Sequence, residues 1–276
     1  WLLSQDNHRT TINNVTVVYW SENNNAEYGK AFETYLNQSS QTDEETSNLN
    51  DIISGIKRGN AIDFETDSLN PGETFCVLGL GSSGSRASVR FFMKDTFGNI
   101  FTNLIKHQMR LTVERPSNVT TIPLWLLLKV SSKPKAEIPS QEIDSLFRSI
   151  LYNQPYPPAL YTNMLHRAFM ESDSTTGKEK TSKVNYIKAG MIKAYLIQNC
   201  KGWEALDSVA LNEDFDNKSY LLGRLFALLE GIQKKALPTI NSTIKDRYFN
   251  SACATPGIVF PTLIKLSHAH RKKLNR

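Results

Sequence analysis

The apolar residues of the chain change period near its middle. Asn14 to Trp20 (NVTVVYW), Thr74 to Leu80 and Ser88 to Met93 are short runs rich in β-branched and aromatic residues, the pattern of strands. Thr96 to Leu111 instead places Phe97, Ile100, Phe101, Leu104 and Ile105 at the three-to-four spacing of a helix with one buried face. Ala26 to Leu36 and Asp51 to Arg58 read as helices, and the polar, acidic stretch Gln38 to Asn50 between them reads as an exposed loop. A hydrophobic patch covers Leu124 to Val130, and residues 131–140 (SSKPKAEIPS) have the composition of a linker. Beyond it, helical patterns follow one another over Gln141–Tyr152, Pro158–Met170, Val184–Cys200, Tyr220–Ala236, Thr243–Phe249 and Pro261–Leu274. A Pro-Tyr-Pro-Pro break and a polar loop, Ser172 to Lys183, interrupt them. The expected fold is an α+β N-terminal part over residues 1–135, followed by an all-α helical bundle over residues 136–276.

Charge sharpens this division. Residues 1–159 hold 14 Lys+Arg and 17 Asp+Glu, whereas residues 160–276 hold 18 and 10, so the basic excess is C-terminal. Such an asymmetry fits a nucleic-acid partner for the second part or, equally, a solvated helical surface. No apolar run approaches the length of a membrane span. Cys76, Cys200 and Cys253 are scattered, with no Cys-x-x-Cys, which points to neither a zinc site nor a disulfide framework and fits a reducing, cytoplasmic setting. Five Asn-x-Ser/Thr sequons, the number chance gives in so polar a chain, carry no weight. The chain opens on Trp1-Leu2-Leu3 without an initiator methionine, as a piece of a longer protein would.

Candidate chemistry is sparse. Gly79-x-Gly81-x-x-Gly84 matches the dinucleotide fingerprint literally, but the next element reads as a strand. The fingerprint needs a helix N-terminus there, and an acidic residue about 20 positions on, which is absent. Arg86 and Arg90 on that following strand are the residues of interest, since alternation points both to one face. They can meet phosphate or a neighbouring subunit, or form intramolecular ion pairs. His268 and His270 are two apart on a helix and do not share a face. No nucleophile elbow, metal cluster or paired catalytic carboxylates stand out, so no catalytic residue, metal or cofactor is expected. In Tyr220–Ala236, Gly223, Ala227 and Gly231 recur every four residues, which suits close approach of a helix backbone or of a ligand. Asp246 can pair with Arg224 or Arg247, or Lys245 and Arg247 can face a phosphate backbone.

YLLGRLFALLEGIQ and STIKDRYFNSACATPGIVFPTLIKLSHAH resemble the C-terminal region of the large subunit of the type I-C CRISPR surveillance complex, the Csd family. NYIKAGMIKAYLIQN, NQPYPPALYTNML, FCVLGLGSSGSRASVRFFMKDTFGNIF and VTVVYW extend the resemblance over nearly the whole chain. Arg86, Ser88, Val89 and Arg90 match the family, while Gly81 and Gly84 depart from it. The resemblance implies a non-catalytic subunit whose partners are guide RNA, target DNA, other complex subunits and a helicase-nuclease effector. It implies that the helical part lines the path of the displaced strand, held by positive charge and not by base readout. Candidate contacts are Arg86, Arg90, Lys183, Lys188, Arg224, Lys234, Lys235, Lys245, Arg247, Lys265, Arg271, Lys272 and Lys273. It further implies that the region from about residue 160 can be made separately from an internal start at Met164, Met170 or Met191.

Overall fold

A computed structural model describes residues 8–12, 15–37, 51–64, 67–83, 86–114, 122, 124–132, 138–172, 186–206 and 208–274. Among these, β1 (His8–Ile12), β2 (Val15–Ser21), β5 (Thr74–Ser83) and β6 (Arg86–Thr96) form an antiparallel sheet in the order β1-β2-β5-β6. A small hairpin pairs β3 (Ile62–Phe64) with β4 (Asp67–Leu69). Helices α1 (Ala26–Asn37) and α2 (residues 51–57) lie between β2 and β3 in the chain. After β6 every described element is a helix: α3 (Phe97–Leu111), α4 (Leu124–Ser131), α5 (Ser140–Leu151), α6 (Pro158–Ser172), α7 (Tyr186–Asn199), α8 (Lys218–Ala236), α9 (Ile244–Ala254) and α10 (Pro256–Leu274). The architecture is thus α+β followed by helices, and the apolar patch at Leu124 is itself helical.

The chain divides into two compact units, residues 1–211 and 212–276. That division lies well beyond the linker-like stretch at 131–140, because α4 to α7 share the hydrophobic core of the sheet. Two expected boundaries also move. α10 starts at Pro256 and runs through Pro261, which sits on its exposed side, and α9 extends to Ala254. The expected loop over Gln38–Asn50 lies outside the described residues.

In the first unit, β2 and β5 turn Val15, Val17, Tyr19, Phe75 and Val77 toward the helices. α3 is positioned by its cap: the Thr96 side chain accepts from Asn99 N, and Phe97 N donates to Glu73 O at 2.7 Å. Burying a large aromatic contributes about 1.5–3 kcal/mol per side chain, and α3 supplies two, Phe97 and Phe101, with Ile100, Leu104 and Ile105 on the same stripe.

The Pro-Tyr-Pro-Pro break is a clamped loop. Tyr156 is buried against His107 of α3, with its hydroxyl 2.6 Å from His107 Nδ1. Asn199 of α7 holds the Tyr156 backbone from both sides, its Oδ1 accepting from Tyr156 N and its Nδ2 donating to Tyr156 O. Arg110 Nη2 and Gln198 Nε2 donate to Asn153 Oδ1 and Asn153 O, and Asn153 adopts a positive φ of 52°. A short loop thereby ties α3, α5, α6 and α7 together. Burial holds the His107 imidazole down at about 3, with the Arg110 charge acting in the same direction. Burial also pushes the Tyr156 phenol up to about 12, with Arg110 opposing.

α7 packs on the C-terminal end of α3 so closely that a Cβ at Gly190 would lie 2.4 Å from Leu111 O. Its Lys193 is buried and donates to Thr112 O at 2.6 Å and Ser208 O at 2.8 Å, turning a charged side chain into a staple between distant segments. Met164 and Met191 are fully buried in this core, so α6 and α7 belong to the first unit.

The second unit has its own core. Phe226 and Leu229 of α8 meet Ile244 and Ala252 of α9 and Val259, Phe260 and Leu263 of α10. Asn217 caps α8, and Thr243 with Asp246 forms a capping box at α9. A Cβ added at Gly223 or Gly231 meets nothing within 4 Å.

This packing makes stability predictions at His107 and at three glycines. His107 is neutral when folded and protonates near 6.5 when unfolded, so its contribution is complete above pH 6.5 and is lost as pH falls toward 3. The stability of the wild type relative to His107→Gln should therefore fall across that window, by up to about 1.4 kcal/mol per pH unit; a difference independent of pH, in urea titrations, contradicts this. Gly190→Ala should destabilise by about 1–3 kcal/mol because a backbone oxygen cannot yield. Gly223→Ala and Gly231→Ala should each stabilise, by up to about 1 kcal/mol, in the same denaturation experiment.

Candidate nucleic-acid interface

The glycines of the fingerprint lie inside β5, where Gly79 pairs with Val17 on one side and Phe91 on the other, and Gly81 pairs with Val15 and Ser88. An antiparallel strand follows, so no helix N-terminus faces them; Gly84 lies outside the described residues. Their role is steric. A Cβ at Gly79 would stand 2.4 Å from the ring of Phe91, which is stacked on Phe147 with centroids 5.0 Å apart. One at Gly81 would stand 2.3 Å from Arg90 Nε. The register shifts between Gly79 and Leu80, and this bulge lets Arg90 and Phe91 both lie over the glycines.

Arg86 and Arg90 thus share one side of the β5–β6 ribbon, with Ser88 between them. Arg86 is exposed; Arg90 is half-buried, and its Nε has no hydrogen-bond partner among the described residues.

Most other candidate cations fall on the second unit, where residues 212–276 hold 11 Lys+Arg against 5 Asp+Glu. Lys234 and Lys235 are exposed in the last turn of α8, and Lys234 Nζ lies 2.7 Å from Glu230 Oε1. Lys265 and Lys272 are exposed on one face of α10, seven residues apart, with Arg271 and Lys273 in the same last turn. Cations at helix C-termini also stabilise the helix dipole. Lys245 does not fit that account, because it sits in the first turn of α9, at the positive end. Arg224 donates to Asn212 O and Glu213 O, both at 3.4 Å, and lies 5.8 Å from the Tyr220 ring centre. Asp246 caps its own helix, accepting from Thr243 N at 2.6 Å, while Arg247 Nε reaches Ser242 Oγ at 3.4 Å. All three therefore have local partners within the second unit.

One candidate is buried and another is not described. Lys188 is 2 % exposed in the core stripe of α7, beside Ile187 and Met191, and presents no charge to a groove. Lys183 lies outside the described residues. Sequence reasoning missed Lys193, whose carbonyl partners are distant in the chain, and Lys94, exposed on the sheet next to the aromatic Phe92.

A sequence model of CRISPR-associated protein (Cas_Csd1) matches residues 1–276. The chain belongs to the Cas_Csd1 family. No curated protein matches it. The match covers both units, so this Csd1-family chain is a CRISPR-associated subunit of a Cascade complex along its whole length. No described helix is long and apolar enough to cross a membrane.

The two glycines separate packing from function. Gly79→Ala should cost about 1–3 kcal/mol by displacing a buried ring. Gly81→Ala meets only a flexible side chain and should cost about 1 kcal/mol or less. It should nevertheless weaken nucleic-acid binding or complex assembly as much as Arg90→Ala does. Unchanged binding and assembly in both variants would remove Arg90 from the interface.

Proposed function

We infer that the chain serves as part of the large subunit of a type I-C surveillance complex and that its helical second unit holds single-stranded DNA by backbone charge. The family match supplies the setting. The single observation that carries the finer reading is the concentration of exposed cations on residues 212–276, with Lys234, Lys235, Lys265 and Lys272 all at the surface. A displaced strand offers phosphates at regular intervals, and a positive surface binds them without reading bases. Guide RNA pairs with the target, so protein contacts of this kind need no sequence preference. The same unit would help present the target to the helicase-nuclease in the cytoplasm, a non-catalytic role.

A second reading is favoured by another observation. Leu228 is 62 % and Ile258 75 % exposed on the second unit, which suits an interface with other complex subunits. Salt dependence separates the two. Lys234→Ala, Lys235→Ala and Lys245→Ala combined should lower affinity equally for unrelated single strands. The log-log salt slope should flatten by about one unit for each phosphate that the variant no longer neutralises. Alanine suits helices, so circular dichroism should be unchanged. A folded triple variant with undiminished affinity and slope leaves the subunit-interface reading in place.

A further inference from the structure

The outer face of the four-stranded sheet carries chemistry that a charged groove does not use. Strand register places Trp20, Cys76 and Lys94 in one cross-strand row and Val18, Leu78 and Phe92 in the next, opposite the face that carries Phe75 and Val77. The rings of Trp20 and Phe92 stand 6.4 Å apart between centroids, with planes 30° from parallel. They border a cavity of about 280 Å³. Trp20, Cys76 and Phe92 form its apolar side, and Glu22, Asn24 and Lys94 are at its polar rim. Phe92 is 49 % exposed, so an aromatic face is offered to solvent.

The rim is preorganised. Ser21 Oγ donates to Asn23 Oδ1 at 2.7 Å and accepts from Asn25 N at 3.0 Å. Asn23 N donates to Glu73 Oε1 at 2.7 Å, and Glu22 N to Thr74 O at 2.9 Å. Lys94, by contrast, is held loosely: its Nζ is 3.9 Å from Glu22 Oε1, and both side chains are more than half exposed. An ion pair of that kind contributes little and leaves the ammonium able to turn to another anion.

A planar ring carrying an anion matches this surface. The cavity is slightly smaller than a drug-sized pocket of about 300–1,000 Å³, which suits one base better than a larger ligand. Carboxylate and amide groups at the rim can accept from an N–H of the base, and the ammonium can meet the adjoining phosphate. Aromatic side chains on a sheet face stack bases in this manner whatever their identity. A protein partner would need a patch of about 800 Å² per side to hold stably, far more than two rings supply. We propose that the outer sheet face stacks a base of single-stranded nucleic acid on Trp20 and Phe92, with Lys94 turning from Glu22 to the neighbouring phosphate. The proposal rests on the nucleic-acid reading above for the partner, but its physics is stacking instead of charge.

The test compares the whole chain on an oligo-dT strand and on an abasic strand of equal length, by fluorescence anisotropy. The wild type should prefer oligo-dT by roughly 5- to 150-fold for one stacked base. Phe92→Ala and Trp20→Ala should abolish that preference without changing the salt slope, while Phe92→Tyr and Trp20→Phe should keep it. Phe92→Ala carries the test alone if Trp20→Ala fails to fold, because Phe92 is half-exposed. Equal wild-type affinity for the two strands, no binding to either, or a preference that survives Phe92→Ala overturns the proposal. A Phe92-dependent preference that persists while the triple lysine variant binds normally overturns only the charge-based reading of the second unit.

Discussion

Phe97, the first residue of α3, has its ring centre within 5.2 Å of those of Tyr28, Phe75 and Phe101. Sheet and helices of the first unit meet at that ring. Phe75 in turn touches Phe32, and Phe32 touches Tyr19, so a chain of aromatic contacts runs from β2 through α1 and β5 into α3. The entry of α3 is fixed by its cap on Thr96 and by Gly98, where a Cβ would stand 2.8 Å from Pro71. Once α3 is placed, α7 lies on its C-terminal end over Gly190, and the loop through Tyr156 is clamped against His107 and Arg110. This packing takes one side of the sheet, while Trp20, Phe92 and Lys94 lie on the opposite face and Arg86 and Arg90 on the β5–β6 ribbon.

The second unit depends on a smaller core around Phe226 and Leu263, and much of its surface is cationic or apolar. Its glycines at 223 and 231 face open space within this chain, so the four-residue stripe is not explained by packing among the described helices. Charge and exposed Leu228 and Ile258 lie on the same small unit, which suits both readings proposed for it.

Periodicity made the long elements legible. The apolar stripe of α3 and the β-branched runs of β2 and β5 fix element type because their burial is one-sided and sustained. β1, β3 and β4 were missed because HRTTI, IDF and DSL are short and polar, and their pairing partners alone make them strands. The division between units was not legible either: a Lys-Pro linker marks a change of composition, whereas unit membership follows from α4 to α7 covering the core of the sheet. At the candidate interface, charge alone could not distinguish Lys188, sunk beside Met191, from Lys234 at a solvated helix end. The glycines of β5 were readable as no nucleotide site, but their seating of Phe91 and Arg90 needed the bulge.

The central claim is that the second unit carries the nucleic-acid contact through its lysines. Amine-reactivity footprinting of the chain with and without single-stranded DNA, read residue by residue by mass spectrometry, tests it most directly. Lys234, Lys235, Lys245, Lys265 and Lys272 should lose reactivity on binding, equally for unrelated sequences, and Lys188 should react poorly in both states. Unchanged reactivity of those five lysines under conditions where the strand is bound would contradict the account.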